Sequence, residues 1–588
     1  MMCKASRIPE AGRCSATSPL FRTSTTIKGI FCFHRLAIIF VCSCGFTFFA
    51  HAEKAWIRPT SGLWRVGTNW SGGTPPDITS FIQITNDSTK VVTIDAATPA
   101  SNLTVQRLSI SAPNAATNTL LVADLGAGNP LTLQDTLTIL PGGALRVTNS
   151  AVIVDIVLNH VNVDGDIELD SGSITIGDET VETRVGRDAV GTLEIESGKM
   201  DVGILEVGDL TGAQGTVTIA GGTLNVSSLL GIGNSTMATG VVSVAGGQIV
   251  LAGNSTNVTR IGDSGFGQMV VSNASVSLQE VNVGRHDGSV GTLVIQTNAL
   301  ISCADDLSIG RYGGATGQLL ITGGDLIATN STIWVGREGV GQMNVSGGQV
   351  RSLGLLVGRN ATNSTASTMS LAGGEITVSS NLVVGSSSVS TSQVLIAGAN
   401  LGVTNFSKSG HLIVSSGTLT LNGGIVTVDN LIVTNSSGQF VFGGGTLNTS
   451  GTVISSGLPF VVGDGTNPST LHLVGGSHSF ASGLIISSNS SLTGCGTIIG
   501  DVVNHGTIAT NCGGVTVPPA ITNVAAVSDT FSFSFQSQNS VPYTIEYKTT
   551  LNNASWATLT VVPGDGSLMT FIDPLTNLAS RFYRIRSQ

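Results

Sequence analysis

The chain has 588 residues and a net charge of −10, and only 11% of its residues are Asp, Glu, Lys or Arg, against about a quarter in an average globular domain. Glycine occurs 76 times and aromatics make up 5%, yet 41% of residues are hydrophobic, which excludes a disordered chain and a basic nucleic-acid-binding surface. A Val/Ile/Leu interior beneath Thr, Ser, Asn and Gly points instead to stacked β-structure.

Residues 1–52 read as a signal peptide. Lys4, Arg7, Arg13, Arg22, Lys28 and Arg35 precede the apolar run LAIIFVCSCGFTFFA (36–50), and Ala50-His51-Ala52 supplies an A-x-A cleavage site. At about fifteen residues the run is shorter than the roughly 20 needed to span a bilayer. Val41-Cys42-Ser43-Cys44 loosely resembles a lipobox, and in that alternative a lipid anchor is attached. Loss of this segment removes six Lys/Arg and one Glu, and takes the net charge from −10 to −15. The expected location is secreted or cell-surface, with no transmembrane segment in the mature chain. The expected partners are a cell-envelope or extracellular polysaccharide or a surface protein, and no nucleic acid.

Residues 53–160 are expected to form a β-rich N-terminal cap segment. From 161 to 515 the sequence repeats. VGRDAVGTLEIESGKM (185–200), VGRHDGSVGTLVIQTNAL (283–300), IGRYGGATGQLLITGGDL (309–326) and VGREGVGQMNVSGGQV (335–350) are versions of one unit. An apolar-Gly pair places its glycine at 186, 208, 233, 262, 284, 310, 336, 358 and 385, in steps of 22 to 29 residues. Such a period is the signature of a solenoid or array.

A short strand follows each apolar-Gly, with alternate residues apolar: Leu193/Ile195, Val217/Ile219, Val242/Val244, Met269/Val271, Leu293/Ile295, Leu319/Ile321, Met343/Val345, Met369/Leu371 and Val394/Ile396. Period-two alternation buries one face of each strand. Two residues further on, a two-residue corner carries Gly or Asn in every copy (198, 221, 246, 273, 298, 323, 347, 373, 398), residue types that tolerate positive φ. Frequent glycine and β-branched residues exclude helices, and about 25 residues per unit is too short for a propeller blade. The expected fold is all-β: a parallel β-helix (β-solenoid) of roughly fourteen coils, on the order of 70 Å long.

The GTL-x-I-x-GG units, together with GCGTIIGDVVNHGTIATN (494–511), resemble the autotransporter-associated β-strand repeats of bacterial surface proteins. SGLWRVGTNWSGGTPPD (61–77) is similar to the opening of such passengers. The resemblance spans about 61–511 and implies architecture more than activity. No translocator barrel is expected after the repeats. After Val517-Pro518-Pro519, the strands FSFSFQ, YTIEYKTT, WATLTVV, LMTFIDP and RFYRIRSQ read as a β-sandwich over 516–588. This part resembles the fibronectin-III-like terminal modules of secreted repeat proteins.

Candidate chemistry is sparse. Arg285, Arg311, Arg337 and Arg359 follow the apolar-Gly in four consecutive coils and should stack as a ladder. Stacked guanidinium groups repel unless carboxylates or an anionic ligand neutralise them. Asp287 and Glu338 are the nearby carboxylates, and an acidic-polysaccharide groove is the alternative. Asp164, Asp166, Glu168 and Asp170 alternate along VDGDIELD, so a single strand face could present four carboxylates to a structural Ca²⁺; otherwise they guard an exposed strand edge. Val270, Val294 and Leu320 form an outward apolar stripe. Of the cysteines beyond the signal, Cys495 and Cys512 could form a disulfide across stacked coils, and Cys303 reads as a small buried residue. Neither GxSxG nor HExxH nor a metal-type cysteine pair occurs. The expected function is a secreted or cell-surface structural or adhesive β-helix protein, not an enzyme, and no cofactor is expected beyond that Ca²⁺. The alternatives are a polysaccharide lyase or hydrolase on the same scaffold, or a glycan-binding module.

Overall fold

The computed structural model describes residues 52–587, apart from 157–159, 252–255, 360–365, 387–390, 510–518, 528–529, 540, 551–554 and 575–580. Residues 1–51, which hold most of the expected signal peptide and Cys44, lie outside the described residues. The chain is 62% strand and 1% helix, wound into a parallel β-solenoid of about 17 turns. Parallel pairing joins 42 strands, from Ala52–Ala55 to Thr507–Ala509. The turns outnumber the roughly fourteen expected from the repeat period because residues 53–160 are coiled as well. Ala52–Ala55 pairs with Ser80–Ile84, which pairs with Thr104–Ile110. No helix among the described residues is long and apolar enough to cross a membrane.

The register stacks like on like. Leu193, Val217, Val242, Met269, Leu293, Leu319, Met343, Met369 and Val394 stand in one column. All nine are buried, as are their partners two residues on. Burying each such side chain contributes about 1.5–3 kcal/mol, so the core runs unbroken along the solenoid. Outside, Val270, Val294 and Leu320 also stack in register and shield one another to half-burial.

Two columns of backbone corners set the turn shape. Each apolar-Gly glycine has positive φ, from +64° at Gly385 to +74° at Gly336. At Gly284 (φ +69°) an added Cβ would lie 2.1 Å from the carbonyl oxygen of Thr316 in the next coil. The second corner differs from expectation. Gly198, Asn273 and Asn298 adopt positive φ themselves, but in four of the five Gly-Gly copies the second glycine does so, at Gly222, Gly247, Gly348 and Gly374.

The first coil is closed underneath by the segment that holds the Trp-rich motif. The amide of Ser71 donates to Ala55 O (2.9 Å) and that of Ile57 to Asn69 O (3.0 Å). This covers the lower edge of the first strand. Trp70 lies edge-on to Trp56 (5.1 Å, 90°) and to Trp64 (5.0 Å, 78°). Trp64 Nε1 donates to Asn102 O (2.9 Å) and Trp70 Nε1 to Trp64 O (2.7 Å). The three rings seal the end of the core, which in a solenoid has no neighbour to bury it.

At the C-terminal end, two three-stranded antiparallel sheets form from Thr522–Val527, Thr530–Gln536 and Leu568–Pro574, and from Ala557–Pro563, Pro542–Lys548 and Phe582–Ser587. Phe533, Phe535, Val541, Tyr543 and Ile545 make their shared core.

Candidate functional site

The corner after each apolar-Gly brings the four arginines into a column, with aromatic rings between them. Tyr312 lies under Arg285 (5.8 Å) and Arg311 (5.3 Å), and Trp334 under Arg337 (5.1 Å) and Arg359 (4.8 Å). His286 stacks on Tyr312 at 5.5 Å. The carboxylates differ from those expected. Arg285 pairs with Asp263 (2.8 Å), Arg311 with Glu280, and Arg337 with Asp306 (3.9 Å). Asp287 and Glu338 make none of these pairs, because register brings acids from adjoining strands and coils across to the guanidinium groups. Asn282 Oδ1 accepts from Arg311 (2.6 Å), and Asp306 also accepts from Trp334 Nε1 (3.0 Å). Of these four, only Arg359 has no ion pair among the described residues. The paired arginines are 19–26% exposed. The column is therefore a nearly neutral, half-buried stack with little positive field for an acidic chain.

The expected carboxylate stripe is split. Asp164 is buried in a turn, where its Oδ1 accepts the amides of Arg187 (2.7 Å), Asp188 (2.9 Å) and Ala189 (3.1 Å). Asp166 accepts from Thr192, and Asp170 from Thr148 (2.7 Å). Arg146 pairs with both Glu168 and Asp170. Burial raises the Glu168 pKa; burial also acts on Asp170, but the Thr148 hydrogen bond and its neighbours prevail and lower it. A guanidinium already bound to two of these carboxylates, and backbone amides bound to a third, do not fit a calcium site, which needs six to eight free oxygens.

A second charged cluster was not apparent from spacing, because its members come from successive coils. Arg184 pairs with Glu182, Glu206 (3.3 Å) and Asp209 (3.3 Å), and His160 approaches Glu182 at 3.1 Å. Glu206 is pushed up by burial, then by Asp209 and Glu182, against the lowering effect of Asn234 and Arg184.

Cys303 is a free, buried thiol, pushed up to about 12 by burial, and so is unreactive. Cys495 is disulfide-bonded; Cys512 lies outside the described residues.

A cleft also opens at the upper part of the solenoid, where the repeat period loosens beyond Gly385. Phe440 stands in register above Leu419 and Val394, both buried, yet it is itself only partly buried. Over the first part of the strand Gly438–Ile454 the next coil contributes only Phe460–Val462, which meets it at Phe442 alone. The gap is an apolar cavity of about 400 Å³ lined by Phe440, Val441, Leu458, Pro459 and Val461, with Phe442 and Phe460 at its base.

The fold and these surfaces define a parallel β-solenoid whose charged side chains bind mainly to one another. Compared with family models, curated proteins and solved structures, the chain gives no match.

Proposed function

We propose that the protein is an exported, surface-displayed scaffold with a structural or adhesive role and no catalysis. The observation that carries this reading is the use of charge along the solenoid. Arginines and carboxylates pair across coils and stack on aromatic rings, which consolidates a long, stable surface. The signal-like residues 1–52, the autotransporter-like repeats and the fibronectin-III-like module support export and display, with a cell-envelope or extracellular polysaccharide or a surface protein as partner. The test is fractionation of producing cells with surface proteolysis of intact cells. Protease-accessible, processed protein is expected, and retention of unprocessed chain in the cytoplasm would overturn the reading.

The Arg184 cluster favours one second reading, a polysaccharide-cleaving enzyme, because Glu206 is biased toward its protonated form beside Asp209. Glycoside hydrolysis uses such a pair of carboxyls. Release of reducing or unsaturated ends from a polysaccharide panel, abolished in Glu206→Gln, would establish it.

A further inference from the structure

We infer that the cleft at Phe440 and the hollow beside it form a binding site for an uncharged glycan. The two hollows share Gly438, Gln439, Ser456 and Leu458, and the second, of about 390 Å³, is lined by polar side chains. Gln393, Thr418 and Gln439 stand in register on three successive coils, so that amide and hydroxyl groups repeat at about 4.8 Å along the solenoid. Ser436, Ser437 and Ser456 add hydroxyls along the same hollow.

The lining selects the ligand by charge. Asp464 is the single charged residue among the described residues of either hollow. Its carboxylate accepts from the amides of Thr466 (2.7 Å) and Asn467 (2.8 Å) and from their side chains. That network consolidates its own loop, and the backbone amides of Asn467 and Thr466 hold its pKa well below the usual range. Asp464 therefore stays ionised and repels an acidic chain, and no basic side chain among the described residues of either hollow offsets it.

The lining also selects by polarity. A sugar ring has an apolar C–H face and a rim of hydroxyls. Phe440, Leu458 and Pro459 present an apolar wall to the face, and the Gln/Thr/Ser row presents donors and acceptors to the rim. An acyl chain would leave the polar row unused. A β-strand from another protein would find only Gly438–Val441 free of a strand partner above, before Val462 takes the position over Phe442. The site is thus an apolar pocket with a few convergent polar groups, the usual form of a small-ligand site. The assignment gives the adhesive reading a ligand class, but the two can fail separately.

The experiment is calorimetric titration of the processed protein with cellohexaose, laminarihexaose, mannohexaose and xylohexaose, and with hexagalacturonate as the charged counterpart. At least one neutral hexasaccharide is expected to bind, with hexagalacturonate about tenfold weaker or worse. Gln439→Ala and Leu458→Ala are each expected to weaken binding by about tenfold. Both side chains are exposed, so the thermal unfolding midpoint should not move. Absence of binding by every neutral hexasaccharide, or binding that survives both substitutions, overturns the site. Surface proteolysis is scored independently, so loss of the glycan site and loss of surface display are distinguishable.

Discussion

Arg311 is held by Glu280, by Asn282 Oδ1 at 2.6 Å and by the ring of Tyr312 at 5.3 Å. Arg311→Ala would leave a half-buried carboxylate without its partner, so a loss of about 2 kcal/mol in unfolding free energy is expected by urea titration. Binding to acidic polysaccharide should be absent in both the wild type and the variant. Glu206 gives a pH signature. Its folded-state pKa is raised, chiefly by burial, so the folded chain binds the extra proton between the ordinary glutamate value of 4.5 and the raised one. The associated stability is fully present below the ordinary value and is lost as pH rises through the raised value. Glu206→Gln should flatten the fall in urea midpoint from acid to neutral pH, and an unchanged slope would count against the assignment. Chelator should leave thermal unfolding unchanged, since Arg146 and backbone amides already bind Asp170, Glu168 and Asp164.

At the scale of the element, the repeat is legible because strand pairing demands it. Alternation at Leu293/Ile295 predicts an inward face, and parallel register puts the same pair inward in every coil. Glycine carries the rest. An added Cβ at Gly291 would lie 2.0 Å from Ile261 O and 2.2 Å from Gly284 N. Gly291→Ala should cost on the order of 3 kcal/mol, whereas Thr292→Ala on the outward face should stay within about 0.5 kcal/mol. Chemical denaturation of the two variants side by side checks the contrast. The site was less legible. The arginine column follows from spacing, but its acids Asp263, Glu280 and Asp306 sit elsewhere in the repeat, and only register reveals which of them face an arginine. The cleft at Phe440 depends on the shortened strand Phe460–Val462, for which the loosened period was the only sequence signal.

For the whole molecule, each coil is stabilised by its neighbours, so the ends decide solubility. A bare first coil would offer unpaired amides to another copy. Trp64 is fully buried against Trp70 and bonded to Asn102. Trp64→Ala should cost about 3–5 kcal/mol and promote end-to-end association, read as rising light scattering before unfolding. Composition and period alone determine an all-β solenoid, because side-chain alternation and recurrent corner glycines are local requirements of the backbone. Tertiary structure alone decides which charges neutralise one another, how the Trp-rich segment seals the first coil, and where the core is open at Phe440. The arginine pairs join residues of different coils, 22 to 31 positions apart, and Trp64 reaches Asn102 38 positions on; local pattern does not encode which of them meet.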